Sequence, residues 1–412
     1  MSGSTPISFD VAKRVAGGVA RAAPPLSPAT LAGLEEDFLR CTAEAEQLVA
    51  ESTGLVSSAG PARGVVTDRA GWVEANIDSF ERLLAPLILR LEERSRSRVP
   101  ESVARLSAAA SGAEVGLLLG WMSGRVLGQY DLLMNEAPGR EQAVEETPAV
   151  SERSAHRPGA RVLAVLDSVL GPQRARGSER AISSREQPTA TAGDIVYYVG
   201  PNIVKLEAEH GFDPAEFRLW IALHEVTHRL QFTGVPWLRE YFLSLIDEAV
   251  LLASPTAEQL VRALRRLAED IFAGRNPLAE AGLVALVATD AQREALRSTQ
   301  ALMSLLEGHG DVTMSRAASS LVPHASRFAA VLHSRRGEAK GAARFVQQLL
   351  GLDAKLRQYA EGERFVELVE EAGGPELFSR VWQSPAMLPV REEIASPRRW
   401  IERVSAVGLG SG

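Results

Sequence analysis

The chain is short of cysteine, lysine and aromatic residues. Cys41 is the only cysteine in 412 residues, which excludes an intrachain disulfide and any metal site built from several thiolates. Lys13, Lys205, Lys340 and Lys355 are the only lysines, so arginine carries nearly all the positive charge. The net charge is -7, which gives no basic footprint for nucleic acid or for an anionic membrane surface. The first eighteen residues lack the long apolar core of a signal peptide. No apolar run reaches the roughly 18 residues of a membrane span. These absences predict a cytoplasmic protein in a reducing compartment, with no nucleic-acid partner and no membrane; no feature of the sequence sets the oligomeric state.

What is present reads as mainly helical. Residues 1–135 form an N-terminal helical region, in which Gly112, Gly116, Gly120, Gly124 and Gly128 recur every four residues. Such a stripe lets another helix lie very close, and it predicts a buried central helix. Residues 136–193 are rich in Pro, Ser, Glu, Arg and Gly around one short ordered island, Arg161–Leu170, and read as a flexible insertion or linker. Order returns with the β-branched and aromatic run Asp194–Val199, a small β element beside the helix that follows.

That helix carries the chemistry. Asp213 is a capping residue, Pro214 takes the first helical position, and Gly234 and Pro236 end the apolar pattern. Inside it, His224-Glu225-Val226-Thr227-His228 puts two imidazoles one turn apart on one face, with a carboxylate beside the first. Two histidines so placed can hold Zn2+, and the glutamate can handle the proton of a water activated by the metal. A catalytic zinc usually takes a third protein ligand. Glu307, on a long helix predicted from about residue 289, is the candidate, with His309 as the alternative. The two lie some 200° apart around an ideal helix, so both cannot coordinate while the helix is intact. Asp311, one turn past Glu307, is placed to accept the free ring N–H of a ligand histidine. Asn202, Arg357 and Tyr359 are candidate oxyanion or substrate contacts, since each could aim a donor at developing charge.

The run Leu219–Phe232 resembles the bacterial zincin-like metallopeptidases of type 2, a family of hydrolases that includes a branch named for association with deazaflavin-coenzyme biosynthesis. The resemblance extends to Asp68–Asn76, Leu127–Asp131, Leu305–His309 and Leu349–Tyr359, and so to most of the chain. It implies a mainly α, zincin-like fold with HExxH as its metal motif. Residues 194–412 are then the catalytic region, joined in one compact unit with residues 1–135. The expected activity is a zinc-dependent hydrolase, foremost a metallopeptidase, acting on a peptide or a small amide. The rival readings are a small-molecule amidase and a non-proteolytic helical accessory protein with structural or vestigial zinc.

Overall fold

Runs rich in Ala, Leu, Glu and Arg, started by Ser or Asp caps and stopped by Gly, make helices the dominant element. The computed structural model describes residues 7–21, 25–95, 101–132, 195–250, 290–317, 321–337 and 352–409. The insertion expected at 136–193, with its island at 161–170, lies outside these described residues. Helix α1 (Phe9–Ala20) is capped by the Ser8 hydroxyl. Helix α2 (Pro28–Thr53) is capped by Ser27 and closed by Gly54 at φ 71°, a left-handed turn that glycine adopts without strain. Strand β1 (Arg63–Thr67), helices α3 (Arg69–Ser95) and α4 (Glu101–Ser123) and strand β2 (Gly128–Tyr130) follow. Then come β3 (Ile195–Val199), α5 (Gly200–His210), α6 (Pro214–Gly234), α7 (Leu238–Val250) and α8 (Asp290–Ala317). The chain continues with α9 (Ala325–Gly337), α10 (Leu352–Phe378), α11 (Arg391–Ala395) and α12 (Pro397–Leu409). The described residues all fall in one unit, drawn from Met1–Asn135 and Ala192–Gly412.

The three strands form one sheet in the order β1-β3-β2, with β1 parallel and β2 antiparallel to β3. Val196 and Tyr198 of β3 are fully buried, and the Tyr198 ring stacks on Phe38 of α2. β3 is the strand expected from the run Asp194–Val199. It is the middle strand, because the short, glycine-bearing segments at Gly64 and Gly128 supply a neighbour on each side. The outer strand on the α6 side is β2.

Helix α6 is buried almost all round. Phe217, Ile221, Leu223, Val226 and Leu230 pack it against α2, the sheet and α8, and each such side chain contributes about 1.5–3 kcal/mol through burial. Helix α8 is the other central element, with Ala301, Leu302, Leu305, Leu306 and Val312 buried between α6, α7 and α10. The glycine stripe is resolved differently from the expectation. Helix α4 ends at Ser123, so only Gly112, Gly116 and Gly120 belong to it; Gly128 lies on β2. These three meet α1 at backbone range: a Cβ would lie 2.2 Å from the Ser8 carbonyl oxygen at 112 and 2.7 Å from that of Ala12 at 116. The far side of α4 is open, with Leu106 at 72% and Leu117 at 56% exposure, so this is a peripheral helix with one close-packed face. By length and composition alone, Ser102–Ser123 would suffice to cross a membrane, because an averaged hydropathy tolerates the Glu114 that interrupts the apolar run.

Candidate metal centre

Helix α6 starts as the sequence implies. The Asp213 carboxylate accepts from the backbone N–H groups of Ala215 and Glu216, and Pro214 occupies the first turn. Two and a half turns further, His224 and His228 sit with ring planes at 85° and their Nε2 atoms 3.2 Å apart. From α8, Glu307 brings Oε2 to 3.9 Å from His228 Nε2. The donor atoms of His224, His228 and Glu307 all lie within 4.8 Å of one another. Ligands about 2.0–2.1 Å from a tetrahedral ion would be roughly 3.3–3.4 Å apart, close to the His224–His228 separation and about half an ångström below the His228–Glu307 one. Two imidazoles and one carboxylate suit zinc, and among the described residues no fourth His, Cys, Asp or Glu joins the group.

At Gly308, the residue after Glu307, α8 and α10 touch backbone to backbone. A Cβ on Gly308 would lie 2.1 Å from the Gly362 carbonyl carbon, and one on Gly362 would lie 1.9 Å from the Ser304 carbonyl oxygen. No side chain fits there, which is why glycine stands on both helices.

Glu225 is buried beside β2. A Cβ at Gly128 would lie 2.6 Å from Glu225 Cγ, so the glycine leaves the room in which this side chain sits. Burial pushes the Glu225 carboxyl up to about 7; His228 pulls the other way, Glu307 adds to the rise, and a hydrogen bond from the Tyr130 backbone N–H opposes it. At His228, burial disfavours the charged ring. The carboxylates of Glu307 and Glu225, the Gln231 hydrogen bond and the charge of Asp311 outweigh it, and the pKa rises.

The partner of the His228 ring was not foreseen. Nδ1 lies 3.0 Å from Gln231 Oε1, and Gln231 Nε2 lies 2.9 Å from both the Leu306 carbonyl oxygen and His309 Nδ1. For His228, then, the acceptor expected at Asp311 is Gln231, three residues along the same helix. His309 is not a member of the ligand group. Its buried ring stacks on Phe378 at 5.3 Å and turns toward Gln231, as its position far around α8 from Glu307 requires. Burial, reinforced by the charges of His228 and Arg316, lowers the His309 pKa to about 3, so the ring is neutral at any physiological pH.

Asn202 is also corrected. Its amide nitrogen donates to the carbonyls of Ser123 and Val126, and its oxygen accepts from Arg69 Nε at 2.7 Å. All its hydrogen-bonding capacity on the amide hydrogens is committed to tying α5 to the end of α4, which leaves no donor for an oxyanion. Arg357 and Tyr359 lie on the first turns of α10, and their side chains fall outside the described residues. Arg229, next to the second histidine, points away from the site and is fully buried. Its guanidinium donates to Glu46 Oε1 at 2.6 Å and to the Gly60 carbonyl, while the other Glu46 oxygen accepts the Ala62 N–H.

A family model described as zincin-like metallopeptidase matches residues 7–401. The chain belongs to this family. The match takes in the N-terminal helices and the sheet as well as α6 and α8, so the zincin-like unit includes the region that builds the wall beside Glu225. Family membership implies a divalent metal, and among the described residues His224, His228 and Glu307 are the group that could hold it. No curated protein matches. A solved structure from Chloroflexus aurantiacus, titled as "a putative hydrolase with a novel fold", is 28% identical. The match covers 97% of this chain and 99% of that one with a TM-score of 0.62.

Gln231, Gly128 and Gly362 were missed as site residues. The first lies at helical spacing from His228, which was a usable signal; the glycines gave none, because their partners are far away in the chain.

Proposed function

We propose that the protein is a zinc-dependent hydrolase of peptide or amide bonds, foremost a metallopeptidase. The supporting observation is the meeting of three donor atoms from two helices within 4.8 Å, beside a buried carboxylate whose pKa is raised to about 7. His224 and His228 would present Nε2 to the ion and Glu307 a carboxylate oxygen. When bound there, zinc supplies polarisation of a carbonyl and a more acidic water. Glu225 does the proton work. Its carboxylate takes the proton of the attacking water and returns it to the leaving nitrogen. Burial around α6 keeps bulk water from that carboxylate, and the Tyr130 N–H holds it against β2. A three-donor set among the described residues supports a catalytic site over a structural one, which would normally close with four protein ligands. The family's description as zincin-like metallopeptidase favours peptide over a small amide.

Zinc analysis and a peptide-library digest test the proposal together. The Glu225→Gln protein is expected to keep stoichiometric zinc and lose at least a hundredfold of its hydrolysis, roughly the worth of a general base. His224→Ala is expected to lose the zinc. Undiminished zinc in that variant would remove the site, and full cleavage by Glu225→Gln would remove the base.

A further inference from the structure

The side chain of Gln231 reads as a device for setting which nitrogen of His228 carries the proton. The reasoning begins from an atom that has no choice. The Leu306 backbone carbonyl can only accept a hydrogen bond, so the group 2.9 Å from it must be the Gln231 NH2. That fixes the amide: the oxygen, on the other side, faces His228 Nδ1 at 3.0 Å. An amide oxygen is also only an acceptor, so Nδ1 carries the hydrogen. A neutral imidazole protonated at Nδ1 has its lone pair on Nε2, the atom that faces His224 at 3.2 Å and Glu307 at 3.9 Å. The second amide hydrogen goes to His309 Nδ1 at 2.9 Å, and that ring is held flat against Phe378 with planes 12° apart. Flipping the amide would set its oxygen against the Leu306 oxygen. Gln231 is itself fully buried, so bulk solvent does not reach it to make good the loss.

We propose that Gln231 is a positioning residue, pinned by the Leu306 carbonyl, that keeps the His228 proton on Nδ1 and leaves Nε2 bare toward His224 and Glu307. Its consequence for metal binding rests on the zinc reading above; the tautomer assignment does not. Leu306 and Glu307 are consecutive, so one turn of α8 both offers a ligand oxygen and sets the protonation of the ligand opposite. If α8 shifts along α6, both are lost together.

Ring 15N NMR of His228 in the metal-free protein, at a pH where the ring is neutral, tests the assignment without any substitution. The expected signature is a protonated Nδ1; a protonated Nε2 would overturn the proposal outright. Gln231→Met keeps the length and apolar volume of the side chain while removing its donors and acceptor. It is expected to shift His228 toward the Nε2–H form and to weaken zinc binding about 10- to 100-fold in chelator competition. A variant that changes tautomer yet binds zinc as tightly as the wild type would overturn the positioning role. If the wild type shows Nδ1–H, Gln231→Met reverses it and neither protein binds zinc, the metal reading fails and the assignment of Gln231 stands.

Discussion

Among the described residues, two helix crossings are built on glycine, and they serve different ends. Where α4 lies on α1, Gly112, Gly116 and Gly120 line up against Ser8, Ala12 and Ala16, so the close approach is spread over three turns of small residues. Where α8 lies on α10, a single pair, Gly308 and Gly362, makes the contact, and the residue next to it is Glu307. A stripe can absorb a methyl group by a slight separation shared along its length. A point contact cannot, and its displacement is passed directly to a candidate ligand.

The largest effect is expected at the point contact. Gly308→Ala would put Cβ within 2.1 Å of the Gly362 backbone, forcing the helices apart at a cost of about 3 kcal/mol and taking Glu307 with them. Urea unfolding and zinc affinity should both register it, and a variant with wild-type values in both would erase the distinction. Next comes a pH effect that belongs to the same side of the molecule. His309 has its pKa lowered from 6.5 to about 3, so between those values the unfolded chain takes up a proton that the folded one refuses. The stability this group contributes is therefore fully present above pH 6.5 and is lost as pH falls toward 3. The loss is up to about 1.4 kcal/mol per pH unit, or roughly 2 kcal/mol near pH 5. In metal-free protein, His309→Phe should flatten this slope relative to wild type; an unchanged slope would mean the proton uptake lies elsewhere.

The stripe should be more forgiving. Gly116→Ala brings Cβ to 2.7 Å from the Ala12 oxygen, but it recovers helix propensity of about 1 kcal/mol, so a net loss of only about 1 kcal/mol is expected. Zinc stoichiometry should not change, and a fall in zinc content would show that the two crossings are coupled. The smallest effect, and one of opposite sign, is expected at a glycine in neither crossing. Gly33 in α2 has nothing within 4 Å of a built Cβ, so Gly33→Ala should stabilise by up to about 1 kcal/mol in thermal unfolding.

The same contrast explains what could be read from the residues alone. The motif helix was legible because cap, proline, apolar face and both histidines lie within twenty-odd neighbouring residues, and local physics dictates each. Glu307 was legible as a carboxylate on the buried side of a long helical pattern. Gly112, Gly116 and Gly120 were visible as a period, yet the same period carried the reading two glycines too far. Only the fold separates a helix ending at Ser123 from a strand beginning at Gly128. Asn202 looked free to donate because nothing in its neighbourhood names Arg69, Ser123 or Val126 as its partners. Gly362 is likewise explained by Ser304 and Gly308, which no local pattern connects to it. The family resemblance supplied the fold class where long-range pairing hid it.

Arg229 gives the motif helix a rotational stop. Turning α6 by one residue would swing its faces by about 100° and carry both imidazoles away from Glu307. A guanidinium enclosed by Glu46 and the Gly60 carbonyl cannot follow that turn without stranding its charge. The helix thus keeps its azimuth whether or not an ion is present. In small zinc domains the metal's binding energy is consumed in folding the chain around it. Here the three candidate ligands are aimed beforehand, so an ion held by them would exchange at a standing socket.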